Sequence, residues 1–146
     1  MTMENWVDED GTSARTRITG VLTSEELIEF QFWLISEHKK GKLKAKYNHL
    51  IDARNVTVIQ VGEEDIRRLS QINNVYGRDR DQRRIGIVVD SSQSKMLANL
   101  HKTLSKQSGV EVEVFETRIE ACNWLDIDPM LDLFEGRRGD KKQVRK

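Results

Sequence analysis

The chain reads as an α/β domain, a mixed β-sheet in which an N-terminal β-hairpin is followed by alternating helices and largely parallel strands. Three observations carry this. Arg84-Ile85-Gly86-Ile87-Val88-Val89-Asp90-Ser91-Ser92 is a short β-branched run that ends in helix-capping residues, the pattern of a buried parallel strand delivering a helix. Asn5–Asp10 and Ala14–Leu22 flank Gly11-Thr12-Ser13, the arrangement of two strands around a tight turn. Between and after these, strand-like and helix-like segments take turns.

In order, the hairpin comes first. Its second arm sets Arg15 and Arg17 against Thr16 and Ile18, which places it at a sheet edge with one face in water. Thr23-Ser24-Glu25-Glu26 then supplies a hydroxyl cap with carboxylates in the first turn, and Leu27, Phe30, Gln31, Leu34, Ile35 and His38 follow at helical spacing. Ile28 and Phe32 widen that face and Trp33 is angled away from it, so Trp33 is the candidate for an exposed, partner-facing ring. Gly41 ends the helix. Tyr47–Arg54 is the next strand, and Val56–Val61 a short apolar passage.

The acids Glu63, Glu64 and Asp65 suit the start of a second helix whose inner stripe is Ile66, Leu69, Ile72, Asn73 and Tyr76. After the hub strand, Met96, Leu97, Leu100, His101 and Leu104 mark a third helix that ends at Ser108-Gly109. Val110–Phe115 alternates cleanly and belongs near the opposite edge of the sheet, and Thr117–Leu125 is a short closing helix. Residues 1–127 thus form one domain. Residues 128–146 are an extension that begins around Pro129 and is expected to end as a disordered basic tail.

Composition narrows function mainly by exclusion. With 24 basic and 24 acidic residues in 146, no global field draws nucleic acid, an anionic membrane or an acidic substrate. The length lets one core bury roughly two thirds of the unfolded surface without disulfides or metals. Cys122 has no second cysteine to pair with, no apolar run approaches a membrane span, and the polar start lacks the pattern of a signal peptide. A reducing cytoplasm is the simplest expectation.

The order of elements, together with four short words, resembles the STAS/SpoIIAA-like family in its STAS/SEC14-like bacterial branch. The words are Gly20–Leu27, Leu50–Val56, Arg84–Asp90 and Phe115–Leu125, spread over about residues 4 to 127. The resemblance implies a regulatory or protein-interaction module. Members that antagonise anti-sigma factors carry an Asp-Ser-Ser or Asp-Ser-Thr-Gly motif at the start of the second helix, where a phosphorylated hydroxyl switches partner binding. This chain has Ile59-Gln60-Val61-Gly62-Glu63-Glu64 there, without a hydroxyl. The usual phosphoswitch is therefore not expected.

Candidate sites each compete with a plainer account. The carboxyl ends of parallel strands supply Asp52, Arg54, Asn55, Asp90, Ser91 and Ser92 as a ligand or partner rim. The plainer account makes Asp52 and Arg54 a local ion pair, and makes Asp90, Ser91 or Ser92 a helix cap. Lys39, Lys40, Lys42, Lys44 and Lys46 precede one strand and Arg78, Arg80, Arg83 and Arg84 the next, so both runs fall at the amino ends of the strands as a possible basic patch. Asp79 and Asp81 dilute it, and solvated connectors are the commoner outcome. His38, His49 and His101 lack metal-ligand spacing, Cys122 reads as a packing residue, and no nucleophile elbow, Walker loop or dinucleotide loop is present. No catalytic residue, cofactor or metal is assigned. The expected function is non-enzymatic: a regulatory or protein-interaction module with a protein partner or a second copy of itself, or else a shallow groove for a lipid or small hydrophobic ligand.

Overall fold

The computed structural model describes residues 2–44, 46–77, 83–106, 108–130 and 143–145. Ten elements run in the order β1 (Thr2–Val7), β2 (Ser13–Thr23), α1 (Ser24–Lys39), β3 (Asn48–Gln60), α2 (Glu63–Gly77), β4 (Arg83–Val88), α3 (Ser92–Leu104), β5 (Val110–Phe115), α4 (Arg118–Leu125) and β6 (Gln143–Arg145). They build one mixed sheet ordered β5-β4-β3-β2-β1-β6. β1 runs antiparallel to β2 and β6, while β2 through β5 are mutually parallel. The alternation of strand and helix patterns in the sequence dictates this, since each parallel pairing needs a crossover. Among the described residues no helix is long and apolar enough to cross a membrane.

The helix starts follow local chemistry. Thr23, Ser91 and Thr117 are the N-caps of α1, α3 and α4, each accepting from the backbone three residues on. The Thr23 and Thr117 hydroxyls also donate to the carboxylates of Glu26 and Glu120, which fixes both cap side chains. Where α2 begins, Asp65 Oδ2 accepts from Gly62 N at 2.9 Å, so a first-turn carboxylate satisfies the backbone donor at the helix entry.

Two layers cover the sheet. Helices α1, α2 and α3 bury Ile18, Ile51, Ile85, Ile87 and Val112 beneath Phe30, Leu34, Ile66 and Leu97. The other face carries a smaller cluster in which Leu50 and Val88 meet Ala121, Cys122 and Leu125 of α4. At Gly86 an added Cβ would lie 2.9 Å from Leu125 Cδ1, so the absent side chain is what lets α4 sit down on β4.

Three expectations from sequence are corrected. β2 is not an edge strand but lies between β1 and β3. Its Arg15 is 1% exposed, held by Asp8 at 2.8 Å and stacked on Trp6, so its charge marks an internal ion pair rather than a wet face. β3 does not stop at Arg54 but continues to Gln60, because β2 follows it through two register shifts, the second beside Gly20 at φ 79°. Of β3, only His49–Asp52 pair with β4, so the β2–β3 ribbon projects past the rest of the sheet. Within the C-terminal extension, Gln143–Arg145 pair with Asn5–Met3 instead of trailing as a disordered end, which gives the open edge of β1 a partner. Residues 131–142 and 146 lie outside the described residues.

Candidate functional site

The three-helix layer does not close completely on the sheet. A cavity of about 80 Å³ remains between them. Its floor is Ile18, Ile51, Ala53, Ile85 and Ile87, and its roof is Leu27, Phe30, Leu69, Leu97 and Ala98. Leu22, Ile59 and Val61, from the projecting ribbon and its exit, line it toward the carboxyl ends of the strands. Period-2 alternation in the strands and the inner stripes of the helices put these apolar side chains in one place.

Polar groups enter from the opposite end. Asn73 of α2 is fully buried and joins three other elements. Its Oδ1 accepts from Gln31 Nε2 of α1 at 2.6 Å and from Arg83 Nη2 of β4 at 2.9 Å. Its Nδ2 lies 3.2 Å from His101 Nε2 of α3, and His101 Nδ1 lies 3.0 Å from Ser70 Oγ. Arg83, 2% exposed, packs its guanidinium 4.8 Å from the centre of the Tyr47 ring. Its Nε and Nη1 have no hydrogen-bond partner among the described residues. Burial pushes the Arg83 guanidinium down to about 9, still protonated at neutral pH. Burial, and after it the Arg83 charge, pushes His101 down to about 4, so its ring is neutral.

The sequence-predicted rim does not assemble into one site. Asp52 is buried and binds Arg54 through both carboxylate oxygens, at 2.7 and 2.9 Å, the local ion pair of the plainer account. Asn55 is exposed in the middle of β3 rather than at a strand end, because the strand continues past it. Ser91 caps α3, with Asp90 and Ser92 exposed beside it in a depression that also holds Lys95 and Glu116. Those two ends form their own pair at 2.8 Å.

The basic patch is also broken up. Lys39, Lys40, Lys42, Lys44 and Lys46 are exposed, with Lys40 3.4 Å from Glu37 and with Lys42 and Lys44 sharing a depression with Asp8, Glu9 and Asp10. Arg83 points into the core, since it has the parity of Ile85 and Ile87. Arg84 turns to the α4 face, where it donates to Trp124 O at 2.9 Å and stacks on the Trp124 ring. Arg78 and Arg80 lie outside the described residues. Trp33 is half-buried against the core, and Phe32 is the exposed ring of α1 at 53%. The expected inner stripe of α1, Leu27, Phe30, Gln31, Leu34 and Ile35, is buried, and only the two flanking rings exchange places.

The histidines are dispersed. His38 Nδ1 lies 3.0 Å from Leu43 O, and His49 Nε2 lies 2.8 Å from Thr16 Oγ1. Among the described residues no three His, Cys, Asp or Glu side chains gather as a metal site. Cys122 is fully buried on the inner face of α4. Sequence reasoning did not single out Gln31, Ser70, Asn73 or Arg83 as a group. For Gln31, Asn73 and His101 the signal is a polar residue within an apolar stripe, a position that demands a partner.

No family model and no curated protein matches the chain. A solved structure does: an uncharacterized protein from the DUF3478 family with a SpoIIAA-like fold, from Shewanella loihica PV-4. The two superpose with a TM-score of 0.54 at 17% identity, over 84% of this chain and 91% of that one. Identity at that level speaks for architecture, and the STAS/SpoIIAA-like resemblance carried by the sequence words holds there: the chain has a SpoIIAA-like fold.

Proposed function

We propose that the protein is a non-enzymatic binding module that takes a small, mainly apolar ligand in the cavity under α1, α2 and α3. The observation that carries the reading is the lining, which is aliphatic or aromatic almost throughout with a few buried polar groups at one end. A cavity of about 80 Å³ suits a short chain and is too small for a whole lipid. Against catalysis stands the state of His101. Both ring nitrogens are engaged and its pKa is pushed down to about 4, which makes it a weak base at neutral pH.

Organic extraction and mass spectrometry of natively purified protein test the reading. A short apolar compound should be released from the natural protein and be absent from an Ala98→Phe variant that fills the cavity. A protein that carries no such compound and responds to no short-chain probe overturns it.

A second reading, a regulatory module that docks a protein partner or a second copy, is favoured by exposed apolar side chains on the same layer. Phe32 of α1, Val75 of α2 and Met96 of α3 are 53%, 64% and 57% exposed. Sedimentation of the natural protein against Phe32→Asp tests the homodimer: a dimer that the substitution dissolves supports it, and a monomer in both cases ends it. A reducing cytoplasm as the place of action belongs to the same proposal.

A further inference from the structure

Hydrogen-bond direction around Asn73 decides what the cavity offers a ligand. A guanidinium can only donate, so Arg83 Nη2 must meet the oxygen of the Asn73 amide. That assignment makes Gln31 the donor to the same oxygen, through Nε2. It leaves Asn73 Nδ2 to donate to His101 Nε2, so the His101 proton sits on Nδ1 and is directed to Ser70. The Gln31 carbonyl oxygen is then the end left over. Gln31 is 2% exposed and lines the cavity, and its Oε1 has no hydrogen-bond partner among the described residues. A buried acceptor without a donor bears the full cost of its lost hydration, and a ligand that donates to it relieves that cost.

We infer that the cavity selects an uncharged ligand with one hydrogen-bond donor on an apolar chain, a primary alcohol over the corresponding acid or ether, with its O–H donated to Gln31 Oε1. A carboxylate brings only acceptors and an unpaired charge to this point. An ether of the same size brings apolar surface but no donor, and a site built around an unsatisfied acceptor discriminates against it. Arg83 does not itself line the cavity and acts as a positioning residue, since its fixed donor character sets the orientation of both amides.

The inference rests on the proposed reading of the cavity as a ligand site, and a matched probe series separates the two. Amide correlation spectra of the full chain at pH 7 are titrated with 1-propanol, ethyl methyl ether and sodium propanoate, probes small enough for the cavity. The alcohol should bind at least tenfold more tightly than either of the others, with the Gln31 side-chain amide among the shifted signals. In Gln31→Leu the alcohol and the ether should come within about twofold. Equal affinities for alcohol and ether in the natural protein overturn the inference while leaving the cavity a ligand site. No cavity-localised shift with any of the three overturns both. The comparison in the natural protein decides the matter even if Gln31→Leu fails to fold.

Discussion

Leu125 of α4 and Leu97 of α3 cover opposite faces of the same central strands, and they do so at different closeness. Beneath Leu125, β4 presents Gly86, and even a methyl group there would come within 2.9 Å of Leu125 Cδ1. Beneath Leu97, β4 presents Ile85 and Ile87, yet a cavity of about 80 Å³ remains. The inner face of α4 closes by apolar contact, and the hydrogen bonds from Asn48 and Arg84 reach only the last carbonyls of the helix, those of Leu125 and Trp124. On the other face Asn73 ties α1, α3 and β4 to α2 by hydrogen bonds at one end of the layer, and the layer stands open toward the other. Directional bonds hold elements at set distances where apolar contact would draw them together.

Removing the tie breaks that contrast most severely. Asn73→Leu leaves the Arg83 guanidinium buried without its acceptor, and Gln31 and His101 each lose a bond. A loss of about 3–5 kcal/mol in urea unfolding is expected. The double variant Asn73→Leu, Arg83→Met should recover most of it, because it removes the charge along with the acceptor. A double variant as unstable as the single one shows that the charge is not the cause.

The same network makes the three-helix face sensitive to acid. His101 has a folded pKa of about 4 against an ordinary value of 6.5, so between those values the unfolded chain binds a proton that the folded chain does not. Its contribution is complete above about pH 6.5 and is lost as the pH falls toward 4. The loss amounts to about 3 kcal/mol at pH 4. Urea midpoints between pH 7.5 and 4 should fall more steeply in the natural protein than in His101→Gln. Parallel slopes remove the assignment.

On the α4 face the corresponding weak point is steric. Gly86→Ala should cost about 1–3 kcal/mol, since Leu125 is 1% exposed and has little room to move. Leu125→Val in the same chain should reduce that cost, and a double-mutant cycle measures the coupling. Strict additivity would mean that the methyl is accommodated elsewhere.

What the sequence made legible is what depends on neighbours in the chain. Capping at Thr23, Ser91 and Thr117 is written within four residues each, and the stripes through Phe30, Leu69 and Leu97 within a few turns. The position of β2 in the middle of the sheet is not local, because it depends on β3 choosing β2 as its partner. Arg83 shares the parity of Ile85, Ile87 and Val89, so alternation directs it inward. Its charge and its place in an Arg-rich run argue for solvent, and only the acceptor on Asn73, ten residues earlier, reverses that argument. The site was legible as polar residues within apolar stripes. Which of them bond to one another is a property of three helices meeting, and no single stripe contains it.

The gentlest test applies one substitution to both faces. Ala98 of α3 and Ala121 of α4 are both buried in helices, so replacement by leucine carries almost no difference in helix propensity. At Ala121 the three added carbons have nowhere to go, and a cost like that of Gly86→Ala is expected, about 1–3 kcal/mol. At Ala98 they enter the cavity, bury apolar surface and displace no protein atom, so stability should stay level or rise by up to about 1 kcal/mol. The gain should come at the expense of the alcohol probe, which competes for the same space. If Ala98→Leu is as costly as Ala121→Leu, the three-helix layer is as tightly closed as the α4 face and the contrast between them fails. If it stabilises the fold while 1-propanol still binds with unchanged affinity, the ligand lies elsewhere and the cavity is only an imperfection of packing.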